Sequence, residues 1–287
     1  MRTRRGVLGG TAASVAAVLA GCTTVPGFGG DSTLDLDVDV DFRTLLPGGA
    51  ETPASLFVSN PADFVDVDEV DGSGGGIFGT PSGEITHLIQ VSYTGDEAYA
   101  GDALIAVGRF EREDARSGFE SAEGVETESG EAVGEFERFS VESGDSFYSV
   151  FGARDEIAIA TSTEPLFDRL VETKTGEYER LATENDDVQR TLDVFGGQDA
   201  LNLDVTPAPP VDTQPIVDGT GFVYGEEESD FTVVAVYLED AIAEHNEPEL
   251  VEIWEERETG TTDVESEIDG RVVTVTGVQE TDEALGL

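Results

Sequence analysis

The chain has 287 residues, of which 62 are acidic and 15 basic, for a net charge of −47 and a single cysteine. Such charge would favour disorder, but 38% hydrophobic residues and 15 phenylalanines in periodic segments argue for a packed core. A disulfide framework is excluded by the cysteine count, and nucleic acid is excluded as a partner because no basic patch exists to neutralise phosphates.

The chain opens with Arg2, Arg4 and Arg5, followed by an apolar, small-residue stretch to Leu19-Ala20-Gly21-Cys22. A charged start, a short apolar run and a small-residue cleavage site are the parts of an export signal. The run from Gly6 to Gly21 falls short of the roughly 20 residues that a membrane-crossing helix needs, and Gly9-Gly10 weakens any permanent anchor helix. Plain secretion and an uncleaved anchor are the alternatives. Against them, the one cysteine stands where this motif would be cut. Leu19-Ala20-Gly21-Cys22 resembles a lipoprotein lipobox, which implies a diacylglyceryl group on Cys22. Two acyl chains at about 0.8 kcal/mol per buried CH₂ hold a soluble domain at a membrane surface. Thr3-Arg4-Arg5-Gly6-Val7-Leu8 resembles a twin-arginine export signal, although the family has phenylalanine where Val7 stands. Signal recognition is thus assigned to Arg4, Arg5, Leu19, Ala20 and Gly21, and lipidation to Cys22.

All 62 acidic residues follow Cys22, so removing Arg2, Arg4 and Arg5 from the count takes the net charge from −47 to −50. Only Lys174 among the basic residues is a lysine. Such a surface repels itself in dilute buffer, and molar salt, with a Debye length of roughly 3 Å, screens it. It resembles the surface of a haloarchaeal protein.

Residues 22–33 form the lipidated cysteine and a Gly/Pro/Thr tether. Leu34 to Phe42 alternates apolar with acidic residues, the period of a half-buried strand. Pro47 and Pro53 bracket a turn before a short strand at Ser55–Ser59, and Asp71–Gly83 is a glycine-rich loop. Ile85, His87, Ile89, Val91 and Tyr93 share one face of a further strand. Ala103–Phe110 is a strand leading into a helix with Ala115, Phe119 and Ala122 on one side. Strands are predicted at Glu135–Val141, Phe147–Gly152 and Ile157–Thr161, with Arg154-Asp155 in a turn. Ser162-Thr163-Glu164-Pro165 starts a helix that buries Leu166, Phe167, Leu170 and Val171 and ends at Gly176. Asp186–Phe195 is a second helix with Val188, Leu192 and Phe195 inward, stopped by Gly196-Gly197.

Pro207, Pro209, Pro210 and Pro215 mark residues 201–220 as a linker between an α+β domain at 34–200 and a smaller α+β unit at 221–278. The latter holds a strand at Phe231–Leu238, a helix over Glu239–Arg257 that Pro248 should break or kink, and a hairpin turning at Asp269-Gly270. Residues 279–287 are a frayed tail. The fold class is α+β, antiparallel sheets packed with helices. Strand, helix, hairpin occurs at Ala103–Gly152 and again at Phe231–Gly277, which reads as a duplicated β-α-β-β unit, although any α+β chain can show such an order. From Leu46 to Gly277 the order resembles a family of extracytoplasmic proteins of unknown function, on the pattern around Ile157–Phe195. That family implies no activity.

The sequence carries few signatures of chemistry. Gly74–Gly79 matches the G-x-G-x-x-G spacing, but a strand follows where a dinucleotide site needs a helix. Gly144-Asp145-Ser146-Phe147 resembles one esterase nucleophile block, yet His245 lacks the aspartate three residues before it. His87 and His245 are the only histidines, so a zinc site of His/Cys type is excluded, and His87 reads as a core residue. Asp66, Asp68 and Asp71 fail the EF-hand pattern at Val70 and leave only loose calcium coordination open. The Asp35-Asp37-Asp39-Asp41 ladder reads as a solvated face. No catalytic residue, cofactor or metal site is assigned. The expected function is a lipid-anchored, non-catalytic binding or structural module on the extracytoplasmic face of the membrane. A calcium-dependent adhesion or assembly component, or an extracytoplasmic hydrolase, is the alternative.

Overall fold

The computed structural model describes residues 41–48, 54–60, 84–94, 99–143, 146–195, 198–207, 209, 211, 213–225, 227–255 and 261–284. A 3-10 turn at Phe42–Leu45 leads into strands β1 (Ala54–Ser59), β2 (Ile85–Tyr93) and β3 (Gly101–Gly108), and then helix α1 (Arg112–Glu123). Strands β4 (Glu126–Ser129), β5 (Glu137–Ser143), β6 (Val150–Arg154) and β7 (Ile157–Thr161) follow, and then helices α2 (Glu164–Thr175), α3 (Leu181–Glu184) and α4 (Asp186–Val194). The chain continues through β8 (Ala200–Val205), β9 (Val217–Val223), β10 (Glu228–Val236), α5 (Asp240–Glu255), β11 (Thr262–Asp269), β12 (Val272–Glu280) and α6 (Thr281–Ala284).

All twelve strands join one sheet in the order β11-β12-β10-β9-β8-β1-β2-β3-β7-β6-β5-β4, with every pairing antiparallel. The order mirrors itself about the β1–β8 seam. On each side a three-strand meander is followed by a helix, and returning strands dock beside the meander's third member. The proline-rich stretch expected as a linker is the β8–β9 connection, so residues 201–220 lie within the sheet and supply most of two central strands.

One face is covered from the middle outward by the 3-10 turn and α2–α4. Its core unites Leu56, Ile89, Ile105, Ile159, Phe167 and Leu192 with Val217, Val234, Val236 and Val272 across the seam. The opposite face carries two smaller cores. Helix α1 covers Phe139, Phe151 and Ala158, and α5 covers Phe231, Val233, Val273 and Val275.

Local signals act much as the residues suggest. Helix α2 starts after Thr163 with Pro165 in its first turn and ends at Gly176, whose φ of +83° lets its N–H reach the carbonyls of Glu172 and Thr173. Asn185 caps α4 by accepting from the N–H groups of Asp187 and Val188. Five expectations change. A bulge at Thr86 reverses the parity of β2, so Ile85 faces the α1 core while Ile89, Val91 and Tyr93 face the other. Helix α5 runs unbroken through Pro248, because Ala243 before it and Trp254 after it are buried in the same core. The turn of the last hairpin is Gly270-Arg271, with Asp269 paired to Val272 and Gly270 at φ +61°. The Arg154-Asp155 turn moves likewise to Asp155-Glu156. The start of the expected tail belongs to the fold: Gln279 lies in β12, and the buried Thr281 hydroxyl bonds Ser229 and the Gly225 carbonyl.

Candidate functional site

Where β1 ends and β8 begins, a cavity of about 280 Å³ opens beneath the C-terminus of α4. Its carbon wall comes from Phe42 of the 3-10 turn, Val58 of β1, Leu192 and Phe195 at the end of α4, and Leu201 of β8. Its polar groups are Ser59 and Asn60 at the end of β1, Arg43, His87, Gln198 and Asp199. These residues come from segments far apart in sequence, brought together because β1 and β8 pair antiparallel from Ala54↔Val205 to Ser59↔Ala200.

Two glycines make the seat. A Cβ on Gly219 would stand 2.9 Å from the Phe195 ring, and one on Gly221 would stand 2.9 Å from that ring and 3.0 Å from Gln198 Cγ. Only glycine at these two β9 positions lets the end of α4 settle onto the sheet.

Each polar group has a defined state. Arg43 donates to Asp193 Oδ1 at 2.8 Å and to the Leu192 carbonyl at 3.2 Å, which ties the 3-10 turn to α4. The Thr86 hydroxyl gives its only proton to the Val107 carbonyl at 3.1 Å, so it accepts from His87 Nδ1–H at 3.1 Å. The neutral ring therefore keeps Nε2 as an acceptor. Burial pushes the His87 pKa below its usual value, opposed by the nearby Asp41 carboxylate. Asp199 accepts the Tyr224 N–H at 2.7 Å. Gln198 Oε1 is buried with no hydrogen-bond partner among the described residues, while Nε2 reaches Thr232 Oγ1 only at 3.5 Å.

On the opposite face, between α1 and α5, the central strands carry a polar row. Cross-strand register places Asp102, Ser92, Ser55, Asp204 and Asp218 side by side on β3, β2, β1, β8 and β9. Ser92 donates to Asp102. Asp204 and Asp218 face each other directly, and burial together with the Asp204 charge pushes the Asp218 pKa up to about 7.

Of the residues singled out from sequence, His87 enters the cavity wall. Ser146 Oγ accepts the Tyr148 N–H, and His245 lies in α5, so the two are not brought together as a nucleophile and base. Asp41 caps the 3-10 turn by accepting the Arg43 N–H. Arg4, Arg5, Leu19, Ala20, Gly21 and Cys22 lie outside the described residues, as do Asp35, Asp37, Asp39, Asp66, Asp68, Asp71 and the Gly74–Gly79 loop. Among the described residues no three His, Cys, Asp or Glu side chains are grouped to hold a metal ion, and no helix is long and apolar enough to cross a membrane. Sequence reasoning passed over Arg43, Ser59, Asn60, Gln198 and Asp199. The nearest local clue was Gly219-Thr220-Gly221 within a strand.

No sequence-family profile matches the chain, and no characterised protein does so by sequence. Solved structures are similar in shape. Crystal form I of the spirochete protein TP0453 is 8% identical, with a TM-score of 0.52 over 86% of this chain and 96% of that one. Crystal forms III and IV of TP0453 give TM-scores of 0.49 and 0.47, also at 8% identity, over 86% of this chain and 97% and 96% of theirs. At this identity the likeness is one of fold.

Proposed function

We propose that the protein is a haloarchaeal cell-surface lipoprotein, exported by the twin-arginine route and anchored by a lipid on Cys22. It acts there as a non-catalytic binding module in high salt. One observation carries the reading: the only cysteine of the chain ends the Leu19-Ala20-Gly21-Cys22 run that closes a charged and then apolar start. The cavity at the β1–β8 seam supports binding as the role, because it combines a carbon wall with several convergent polar groups. The mirrored strand order and the paired meander-helix-return path support descent of the two halves from one duplicated unit.

The anchor is tested by fractionating cells that express the wild type and Cys22→Ser. The wild type is expected with the membranes, and the variant in the soluble fraction. Retention of Cys22→Ser in the membrane would overturn lipid anchoring in favour of an uncleaved helix. Arg4→Lys with Arg5→Lys should leave the precursor inside the cell, and normal export of that double variant would overturn the twin-arginine route.

A further inference from the structure

We propose that the seam cavity binds a neutral, polyhydroxylated ligand of single-ring size, such as a hexose; this rests on the binding-module reading and specifies its ligand. The volume of about 280 Å³ lies just under the roughly 300–1,000 Å³ of sites for drug-sized molecules, which suits one ring rather than an extended chain.

Charge narrows the class. Arg43 and Asp199 contribute one charge of each sign, and His87 is neutral in its buried setting. An anion would meet Asp199 and must cross a surface with a net charge of −47. An organic cation would meet the Arg43 guanidinium. A neutral ligand avoids both costs.

Hydrogen-bond capacity narrows it further. His87 Nε2 is an acceptor once Nδ1–H is committed to Thr86, and the ring sits beside Phe42 with centroids 5.8 Å apart. Arg43 uses two of its five N–H groups on Asp193 and Leu192, which leaves donors on the same wall. Ser59 supplies a hydroxyl that can give or take. A wall of mixed donors and acceptors matches hydroxyl groups, each of which both donates and accepts. The carbon faces of a sugar ring find Phe42, Val58, Leu192 and Leu201.

The test is calorimetric titration of the full-length protein, purified in detergent and molar NaCl, with D-glucose, D-galactose and D-mannose. Acetate and methylammonium serve as charged probes. At least one hexose should bind with millimolar or tighter affinity, and neither charged probe should bind more tightly. His87→Phe, which keeps a ring beside Phe42 and removes the Nε2 acceptor, should weaken hexose binding at least tenfold. Where His87→Phe does not melt cooperatively, Ser59→Ala decides, with an expected loss of at least threefold. Absence of binding by all three hexoses, tighter binding of acetate or methylammonium, or binding unchanged in a folded variant would overturn the proposal. These results are independent of where Cys22→Ser fractionates. A soluble Cys22→Ser protein with no hexose affinity would leave the anchor standing and remove this ligand class.

Discussion

In the half of the sheet built from β1–β7, helix α1 is held by Phe119 stacked on Phe151, with ring centroids 4.5 Å apart and planes within 10°. In the half built from β8–β12, helix α5 is held by Trp254 stacked on Phe231, at 4.4 Å and 20°. The two stacks are alike in geometry but not in place, because Phe151 lies on the returning strand β6 and Phe231 on β10, the third strand of its meander. The surroundings differ as well. The first half returns through four strands, and the residues of β7 are buried on both faces. The second returns through two, and its outer strand β11 is exposed along nearly its whole length. The polar row differs too. On the first side a serine hydroxyl meets Asp102, and on the second a carboxylate meets a carboxylate. Along similar paths the two halves bury their strands unequally, and the large core beneath α2–α4 crosses the seam and joins them.

Salt gives the largest effect. With a net charge of −50 after Cys22 (12 basic against 62 acidic residues), cooperative folding should be lost well below molar NaCl. Circular dichroism reports the whole molecule, while emission from Trp254, the only tryptophan, reports the second half. The shared core predicts coincident midpoints in a NaCl series. A flat signal down to roughly 50 mM would refute the salt requirement, and separated midpoints would break the coupling of the halves.

Next come the anchors themselves. Phe119→Ala and Trp254→Ala should each cost about 3–5 kcal/mol in denaturant melts at molar NaCl. Both should shift a single transition. A second transition appearing in Trp254→Ala alone would show that the thinner half unfolds by itself.

Asp218→Asn sharpens the difference in the polar row. The folded pKa of about 7 lies above the ordinary 3.8, so the protonated carboxyl contributes stability that is complete below pH 3.8 and lost as pH rises through 7. After discounting for its partial exposure, the variant should exceed the wild type by about 2 kcal/mol at pH 8, with the gap closing toward pH 4. A gap independent of pH would contradict the opposed-carboxylate geometry. The smallest effect is in the first half. Glu156 holds φ +71° in the β6–β7 turn, so Glu156→Gly should stabilise by about 0.5–1 kcal/mol, read as a rise in the thermal midpoint.

Helix limits were legible where a few adjacent residues carry the physics, as at Thr163-Glu164-Pro165, Gly176 and Asn185. The β2 alternation was legible only in part, because a bulge at Thr86 costs one residue of parity and leaves no local mark. Pro248 misled because its missing N–H is a local cost, whereas the burial of Ala243 and Trp254 that outweighs it is tertiary. The proline-rich stretch misled for a related reason: a hairpin connection and an interdomain linker use the same turn residues, and only strand pairing separates them.

By itself the sequence determined the α+β class and the acidic composition, and set the expectations of salt screening and of export and anchoring at Cys22. These depend on composition or on contiguous residues, where the controlling forces act over a few bonds or over the whole surface at once. The tertiary structure alone decided that the strands form one sheet, that two carboxylates oppose at Asp204 and Asp218, and that a cavity lies at the seam. Arg43, Ser59, His87 and Gln198 meet there only because β1 pairs with β8 and two glycines let the end of α4 close over the junction. No short-range pattern encodes a contact between residues some 150 positions apart.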